Sequence, residues 1–319
     1  MSMPKAICTK NNTLATIIED APFKYKSGEQ VNNWWGSGYK GNVTLRWCIE
    51  QSANVCTVKK YTEITPELGM QYLTNNFKFS TLDPVDDSGQ ATSLGGLTTG
   101  VYNIELTAAY ASIANKGVYT EPILYTHIYD NNGNLLYENT AATHTAMKDS
   151  TAALITSALE DVVKYGTGGT ARLSNMPCAG KTGTASDTKD LWFTGFTPYL
   201  TASVWSGYDD HQEVSGSSSY HKIIWKKIMQ RIHDTNKYKS VAFEMPETVV
   251  KRTVCTETGL LASSDACSKR TEYFAEGTIP KKSCPGHVPE ETTDGATSTP
   301  GATTENGSTT TPAAPTTTQ

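Results

Sequence analysis

The sequence predicts a mixed α/β (α+β) fold in which helices flank an antiparallel sheet, followed by a short cysteine-bearing appendage and a disordered tail. Two observations predict the helices and the sheet. Apolar residues recur at helical spacing in three segments, and apolar runs typical of strands occupy two adjoining segments. The helical segments are 104–116, 151–164 and 221–233, and the strand-like segments are 191–196 and 200–208.

Each predicted helix carries local signals for its ends or its apolar face. Ser150 can cap the start of the 151–164 helix, and Gly166 can end it. Gly117 stops the 104–116 helix. The apolar residues of the 221–233 helix are isoleucines, namely Ile223, Ile224, Ile228 and Ile232.

The predicted strands pair through short turns. Segments 191–196 and 200–208 are joined at Thr197-Pro198-Tyr199, and a short strand through Lys181-Thr182-Gly183 precedes them and pairs with this hairpin. Farther upstream, an Asn131-Asn132-Gly133 turn separates two short strands within 125–137. The sequence therefore predicts a sheet with helices on both sides.

The composition divides the chain into three regions. Residues 1–240 form the main domain, 241–287 a short segment with three cysteines, and 288–319 a low-complexity tail with twelve threonines and no aromatic residue. Such a tail cannot bury enough apolar surface to fold. It also carries four acidic and no basic residues, so the body accounts for only about −1 of the net charge of −5. That near-neutral body gives no indication of nucleic-acid binding, which would need a basic face.

Lys181-Thr182-Gly183-Thr184 is the most informative motif in the chain. Between small apolar residues it predicts a strand that carries a cation, two hydroxyls and an open backbone. Lys181 supplies a point charge, Thr182 and Thr184 can hydrogen-bond an anion, and Gly183 leaves room above the strand. This set suits the binding of a carboxylate beside a reacting acyl group.

Ser52 and Asn54 form a second motif, two residues apart, where the helical segment 45–49 should break into a loop. Taken alone, Ser-x-Asn is typical of a capping or turn motif. Its place upstream of the Lys-Thr-Gly strand favours a functional interpretation.

Longer stretches of sequence connect these motifs to a known family. They are residues 43–55 around Ser52-x-Asn54, 95–117, the glycine-rich 166–171 and 178–210 around Lys181-Thr182-Gly183. In this order they resemble the transpeptidase domain of class A penicillin-binding proteins, over roughly residues 13–240. The resemblance implies the penicillin-binding/β-lactamase-like transpeptidase fold, and 241–287 resembles the C-terminal appendage of some class A enzymes.

The resemblance implies a peptidoglycan D,D-transpeptidase. In that reaction a serine attacks the D-Ala-D-Ala amide of a stem peptide, D-Ala leaves, and a neighbouring amine resolves the acyl-enzyme to form a cross-link. The implied partners are stem peptides ending in D-Ala-D-Ala and β-lactams, with no cofactor and no metal. The implied location is the extracytoplasmic face of the bacterial membrane.

Roles for individual residues follow from the same resemblance. Ser52 relays a proton to the leaving group, and Asn54 orients the substrate amide and the catalytic lysine. Lys181, with Thr182, Gly183 and Thr184, forms the site for the substrate carboxylate, and the N–H of Thr184 supplies half of the oxyanion hole. The Trp34-Trp35 pair is a candidate wall of the donor groove.

The nucleophile of the family lies in a Ser-x-x-Lys motif at the start of a long buried helix, and Ser2-Met3-Pro4-Lys5 is the only candidate here. The segment from Cys8 to Asn12 is a poor helix former, and it leaves no room for a long apolar one. We therefore expect a fragment truncated at its N-terminus, with a working Ser2/Lys5 pair as the alternative. No stretch approaches a membrane span or a signal peptide, so membrane attachment would need an upstream anchor.

Two other functions remain open at this stage. A catalytically inactive remnant or pseudoenzyme would bind only peptidoglycan or a β-lactam. A serine β-lactamase shares the Lys-Thr-Gly strand, but no Glu-x-x-x-Asn stretch supplies a deacylating base between Ser52-x-Asn54 and Lys181. The β-lactamase interpretation is therefore the weaker one.

The seven cysteines fall into two groups. Cys8, Cys48, Cys56 and Cys178 sit in apolar sequence and are predicted to be small core residues. In the appendage, a disulfide from Cys255 to Cys267 or Cys284, or thiols, is favoured over a zinc site that includes Cys284-Pro285-Gly286-His287. The long, unequal gaps lack the paired short spacing of zinc ligands, and an oxidising exterior suits disulfides.

Overall fold

A computed structural model describes residues 12–287 of the chain. The chain divides into two units, residues 1–286 and 287–319, and His287 is the one described residue of the second. All helices and strands of the described residues lie in the first unit. Ser2 and Lys5, Cys8 and the tail 288–319 lie outside the described residues, so the predictions for them stay predictions.

The centre of the fold is a three-stranded antiparallel sheet. It consists of β7 (Ala179–Thr184), β8 (Asp190–Phe196) and β9 (Thr201–Gly207), in the order β7-β8-β9. Lys181 pairs with Thr194, and Thr194 pairs with Ser203. The predicted pairing of the Lys-Thr-Gly strand with the following hairpin is confirmed, and β7 lies at one edge of this sheet.

Helices cover both faces of the sheet, as predicted. On one face, α4 (Asn103–Ala114) and α5 (Asp149–Lys164) pack with the buried Phe196 in the main core. On the other face, Trp225 of α6 (Tyr220–Thr235) contacts Phe193, with ring centroids 5.0 Å apart. Phe193 and Phe196 are three residues apart in one strand, so their side chains point to opposite faces.

The start predicted for α5 is wrong by two residues. The helix begins at Asp149 with Lys148 at its N-cap, so Ser150 lies inside the first turn. The reason is that Asp149 is itself a good first-turn residue, since its carboxylate lies at the positive end of the helix dipole. Gly166 does follow the helix, but it has a steric role: a Cβ there would come within 2.1 Å of the Glu50 carbonyl oxygen.

The isoleucines of α6 are not its buried face. Its buried residues recur every fourth position, at His221, Trp225, Met229 and His233. Ile223, Ile224 and Ile228 are 37 to 48% exposed. The sequence pattern was misleading because two histidines occupy core positions, and one of them, His233, hydrogen-bonds the buried Thr197 hydroxyl at 2.9 Å.

The remaining elements surround this centre. A hairpin of two short strands follows α4 at the predicted Asn-Asn-Gly turn, with Gly133 at φ +84°. The other strands are β1 (Ile17–Asp20), β2 (Gly41–Thr44), β3 (Val118–Thr120), β4 (His127–Tyr129), β5 (Leu135–Glu138) and β6 (Thr143–Thr145). The other α-helices are α1 (Leu45–Glu50), α2 (Asn54–Ile64) and α3 (Pro66–Gln71). Short 3-10 or π turns span Tyr72–Asn76, Asp86–Ser88, Gln90–Leu94, Gly169–Ala171 and Ser186–Thr188.

The C-terminal cysteine-bearing segment forms a hairpin that is tied to the main body. Strands β10 (Val249–Cys255) and β11 (Lys269–Ala275) pair antiparallel. Glu272 of β11 accepts two hydrogen bonds from the buried Arg46 of α1, at 2.5 and 2.7 Å, and Arg46 also bonds Asp161 of α5 at 2.8 Å. This charged cluster links the appendage to two helices of the core.

Buried cysteines and helix lengths complete the description of residues 12–287. Cys48, Cys56 and Cys178 are at most 5% exposed, which confirms their predicted core positions. No disulfide joins the cysteines of the described range. Within the same range, every helix is too short or too polar to cross a bilayer.

Candidate active site

The two sequence motifs meet at one contact. Lys181 Nζ donates a hydrogen bond of 2.7 Å to Ser52 Oγ, across 129 residues of sequence. The same ammonium donates to the Thr182 carbonyl oxygen at 3.2 Å. Strand β7 therefore places its lysine against the turn that joins α1 to α2.

Lys181 is a half-buried cation with an unusual pKa. Burial lowers the pKa of its ammonium from the ordinary value to about 8. Among residues 12–287, no carboxylate forms an ion pair with it. The lysine is therefore still mostly protonated at neutral pH, and its charge is available to an incoming anion.

Ser52 sits in a strained turn. Helix α1 ends at Glu50 and α2 begins at Asn54, so only three residues separate the two helices. Ser52 has φ +56°, in the left-handed region that favours glycine. Strain of this kind persists where surrounding structure enforces it, and it is common at functional sites. The break in the helix predicted at this motif is confirmed.

Asn32 and Asn33 hold the turn at Ser52 through hydrogen bonds to Asn54 and Val55. The sequence did not predict this contact. Asn54 Nδ2 donates to the Asn32 carbonyl oxygen at 2.8 Å, and the Asn33 side-chain oxygen accepts from the Val55 N–H at 3.2 Å. Asn33 Nδ2 in turn donates to the buried Asp20 carboxylate at 2.9 Å. A run of two asparagines ahead of Trp34-Trp35 is the one sequence signal that could have found this brace.

The other residues of the Lys-Thr-Gly strand line the same edge. Thr182 Oγ1 and Thr167 Oγ1 are 2.8 Å apart, so the glycine-rich 166–171 segment holds one of the motif hydroxyls. Thr184 is exposed at the end of the strand. A Cβ on Gly183 would lie 3.1 Å from the Trp192 Cβ, so glycine here allows the close approach of Trp192 on the neighbouring strand. Thr167 is a further residue that sequence reasoning did not assign.

Trp34 lies next to Ser52. Its indole Nε1 donates to the Gln51 carbonyl oxygen at 2.8 Å, and its side chain is 61% exposed. Trp34 and Trp35 are in edge-to-face contact, with ring centroids 5.6 Å apart. An exposed aromatic side chain beside Ser52 is compatible with a groove wall, which stays a hypothesis.

The assembled residues can perform two chemical tasks. The Lys181 ammonium and the Thr182 and Thr184 hydroxyls can bind a carboxylate through charge-assisted hydrogen bonds. The Ser52 hydroxyl accepts from Lys181, and it can therefore donate its own proton to another group. Among the described residues, the one grouping of metal-ligating side chains involves Cys255, Cys267 and Cys284, and none of the site residues belongs to it.

Two family models match the chain. The model described as penicillin binding protein transpeptidase domain matches residues 6–230, which contain both motifs. The model described as penicillin-binding protein 1A, C-terminal domain, matches residues 245–289, which contain the β10–β11 hairpin.

Known proteins with similar sequences or folds agree with these models. Penicillin-binding protein 1A of Clostridium tetani is 34% identical over 306 residues, covering 89% of this chain and 38% of that protein. The chain thus spans less than half the length of this relative. The crystal structure of penicillin-binding protein 1A from Haemophilus influenzae has a TM-score of 0.75 at 22% identity, over 88% of this chain and 48% of that one. An imipenem acyl-enzyme complex of penicillin-binding protein A from M. tuberculosis has a TM-score of 0.61 at 19% identity, over 72% and 58% of the chains.

Proposed function

The chain belongs to the family of penicillin-binding protein transpeptidase domains, and we propose that it carries the carboxylate-binding and proton-relay side of a serine D,D-transpeptidase site. Its substrates in this proposal are peptidoglycan stem peptides that end in D-Ala-D-Ala, and its inhibitors are β-lactams. The single observation that carries the proposal is the 2.7 Å hydrogen bond from Lys181 to Ser52, because it joins the two motifs into one cleft wall.

Lys181, Thr182 and Thr184 bind the terminal carboxylate in this proposal. A stem peptide ends in a carboxylate, and a β-lactam carries one beside its reactive ring. The ammonium of Lys181 has no carboxylate ion-pair partner among residues 12–287, which suits it to an anionic ligand. The Thr184 N–H, at the exposed end of β7, is the donor that we assign to the developing oxyanion.

Ser52 relays a proton during acylation. The attacking serine oxygen forms a bond to the acyl carbon, the C–N bond to D-Ala breaks, and the leaving amine must gain a proton. Ser52 donates its hydroxyl proton to that amine and recovers one from the Lys181 ammonium or from the nucleophile. The strained backbone at Ser52 is consistent with a residue positioned for chemistry.

Asn54 positions the substrate. Its side-chain nitrogen is engaged with the Asn32 carbonyl, so we assign its oxygen Oδ1 to accept from an N–H of the substrate or of a catalytic lysine. The Asn33 brace orients Asn54 through the adjacent Val55 amide.

The attacking serine is the component that this geometry does not assign. Ser2, within Ser2-Met3-Pro4-Lys5, is the candidate in the sequence, and it lies outside the described residues. The C. tetani relative is more than twice the matched length, and a nucleophile upstream of the given sequence is the hypothesis that we favour over Ser2. We propose the outer face of the bacterial membrane as the place of action, because peptidoglycan is cross-linked there.

Labelling with a fluorescent penicillin tests the proposal. The chain of residues 1–319, its Ser2→Ala variant and a version extended upstream in its reading frame are labelled, denatured and compared by electrophoresis and intact mass. In whichever version labels, Lys181→Ala should lower the labelling rate roughly 100-fold, as loss of one electrostatic contact to an acyl transition state does. Lys189→Ala is the matched control, since Lys189 is an exposed lysine just beyond the same strand.

The outcomes separate the hypotheses. Labelling of the chain 1–319 that Ser2→Ala abolishes identifies Ser2 as the nucleophile, and labelling of only the extended version places the nucleophile upstream. Reversible penicillin binding without covalent labelling in any version indicates the inactive, binding-only alternative. A Lys181→Ala variant that labels at the rate of its parent contradicts the role given to Lys181.

A further inference from the structure

Three cysteines that are far apart in sequence converge at the end of the C-terminal hairpin. Cys255 is the last residue of β10, Cys267 precedes β11, and Cys284 follows the hairpin. Their sulfur atoms all lie within 4.8 Å of one another. The three side chains are 0, 6 and 2% exposed, and Leu260 and Ala262 pack around them.

The backbone holds the three cysteines in place independently of any bond between their sulfurs. The Cys255 N–H donates to the Leu260 carbonyl at 2.8 Å, and the Cys284 N–H donates to the Leu261 carbonyl at 2.7 Å. The Cys267 N–H donates to the Ser264 carbonyl at 3.3 Å. One short loop, residues 256–266, therefore accepts a backbone hydrogen bond from each of the three cysteines.

The arrangement matches a metal site better than a disulfide. A disulfide joins two sulfurs and would leave the third thiol buried beside it. Thiolates on one tetrahedral zinc ion, each about 2.3 Å from the metal, lie roughly 3.8 Å apart. Three sulfurs within 4.8 Å of one another are compatible with that spacing, whereas a disulfide would use only two of them.

We propose that Cys255, Cys267 and Cys284 bind one Zn²⁺ ion through their three thiolates, as a structural site in the C-terminal segment. A set of soft thiolates selects zinc over the oxygen-preferring Mg²⁺ and Ca²⁺. Binding releases the three thiol protons and involves no change of oxidation state. The ion would cross-link the loop end of the β10–β11 hairpin to the segment that follows β11. The proposal is independent of the acyl-transfer function.

Metal analysis of the whole chain tests this site. Residues 1–319 are expressed with zinc, purified under reducing conditions and dialysed against metal-free buffer, and zinc is measured by mass spectrometry. The expected result is one equivalent of zinc per chain, released when a mercurial reagent blocks the thiols. Cys284→Ser and Cys267→Ser should each lose the zinc. Cys178→Ser, at a buried cysteine outside the cluster, should retain it.

A second measurement needs no variant. Cobalt(II) added to the metal-stripped parent chain should produce the thiolate-to-cobalt charge-transfer absorption of a tetrahedral site, and zinc should abolish that absorption. Thiols that stay reduced and alkylatable while the chain takes up neither metal would overturn the proposal. So would an intact mass lower by two hydrogens together with a peptide linking two of the three cysteines, because that result establishes a disulfide.

Discussion

Replacing the buried Arg46 with methionine should destabilise the fold more than any surface charge change. Arg46 is 2% exposed and makes five hydrogen bonds, two to Glu272, one to Asp161 and two to Ser157. Burial alone would lower the pKa of Arg46, but the hydrogen bonds and charges of Glu272 and Asp161 raise it above the ordinary value. The cation is therefore held firmly in its charged form.

The expected magnitude follows from what Arg46→Met leaves behind. Asp161 keeps an ion pair with Arg270, but Glu272, which is 1% exposed, loses the guanidinium that both of its oxygens contact. Breaking a buried pair by removing one partner costs about 3–5 kcal/mol of unfolding free energy. For a domain of this size that corresponds to a fall in Tm of roughly 10 °C.

Urea unfolding followed by tryptophan fluorescence measures the change. The double variant Arg46→Met/Glu272→Met removes both charges, and it should regain most of the lost stability, to within about 2 kcal/mol of the parent chain. Lys164→Met is the control, because Lys164 forms an exposed helix pair with Glu160 and should cost less than about 1 kcal/mol. A loss below about 1 kcal/mol for Arg46→Met, or no recovery in the double variant, would refute this reasoning.

Three further predictions concern the active site. Only the protonated form of Lys181 attracts a carboxylate, so the affinity for a stem-peptide carboxylate should be constant at neutral pH and fall as the pH rises through about 8. Lys181→Arg should remove that fall, because arginine stays charged. Calorimetric titration across this pH range measures both. Gly166→Ala should lower the free energy of unfolding by about 1–3 kcal/mol and slow penicillin labelling, because its Cβ would meet the Glu50 carbonyl oxygen at 2.1 Å and displace Thr167. Gly169→Ala is the control, since its Cβ would have its nearest contact at 3.9 Å, and it should change neither thermal melts nor labelling. Ser52→Gly should be more stable than Ser52→Ala by about 1 kcal/mol, because glycine adopts the φ of +56° found at Ser52 without strain. Both variants should lose penicillin labelling. Equal unfolding free energies of the two variants would contradict the strain at Ser52.

Much of the fold was predictable because its signals are local. The β8–β9 hairpin and the helix break at Ser52 each depend on a few neighbouring residues, and each is confirmed. The end predicted for α4 is late by two residues: the helix ends at Ala114, and the backbone is already left-handed at Lys116, before Gly117. The Lys181 and Ser52 motifs could also be recognised separately, since each is a short run of residues whose types alone indicate its chemistry.

Errors arose where the burial of a residue depends on a partner elsewhere in the chain. The sequence favoured the isoleucines as the buried face of α6, but the residues that are buried are His221, Trp225, Met229 and His233. Phe193 contacts Trp225 and Thr197 hydrogen-bonds His233, so this face has partners in the core. The same limit hid the Asp20–Asn33 brace behind Asn54, since it joins polar residues with no distinctive spacing.

The sequence by itself determined the family, the strand that carries Lys181, and the helix break that carries Ser52. Only the tertiary structure decided that these two residues touch across 129 positions, and that Cys255, Cys267 and Cys284 converge despite their unequal gaps. The physical reason is that periodicity and turn chemistry act over a few residues, whereas a site is built from side chains that meet only after the sheet and its helices have packed.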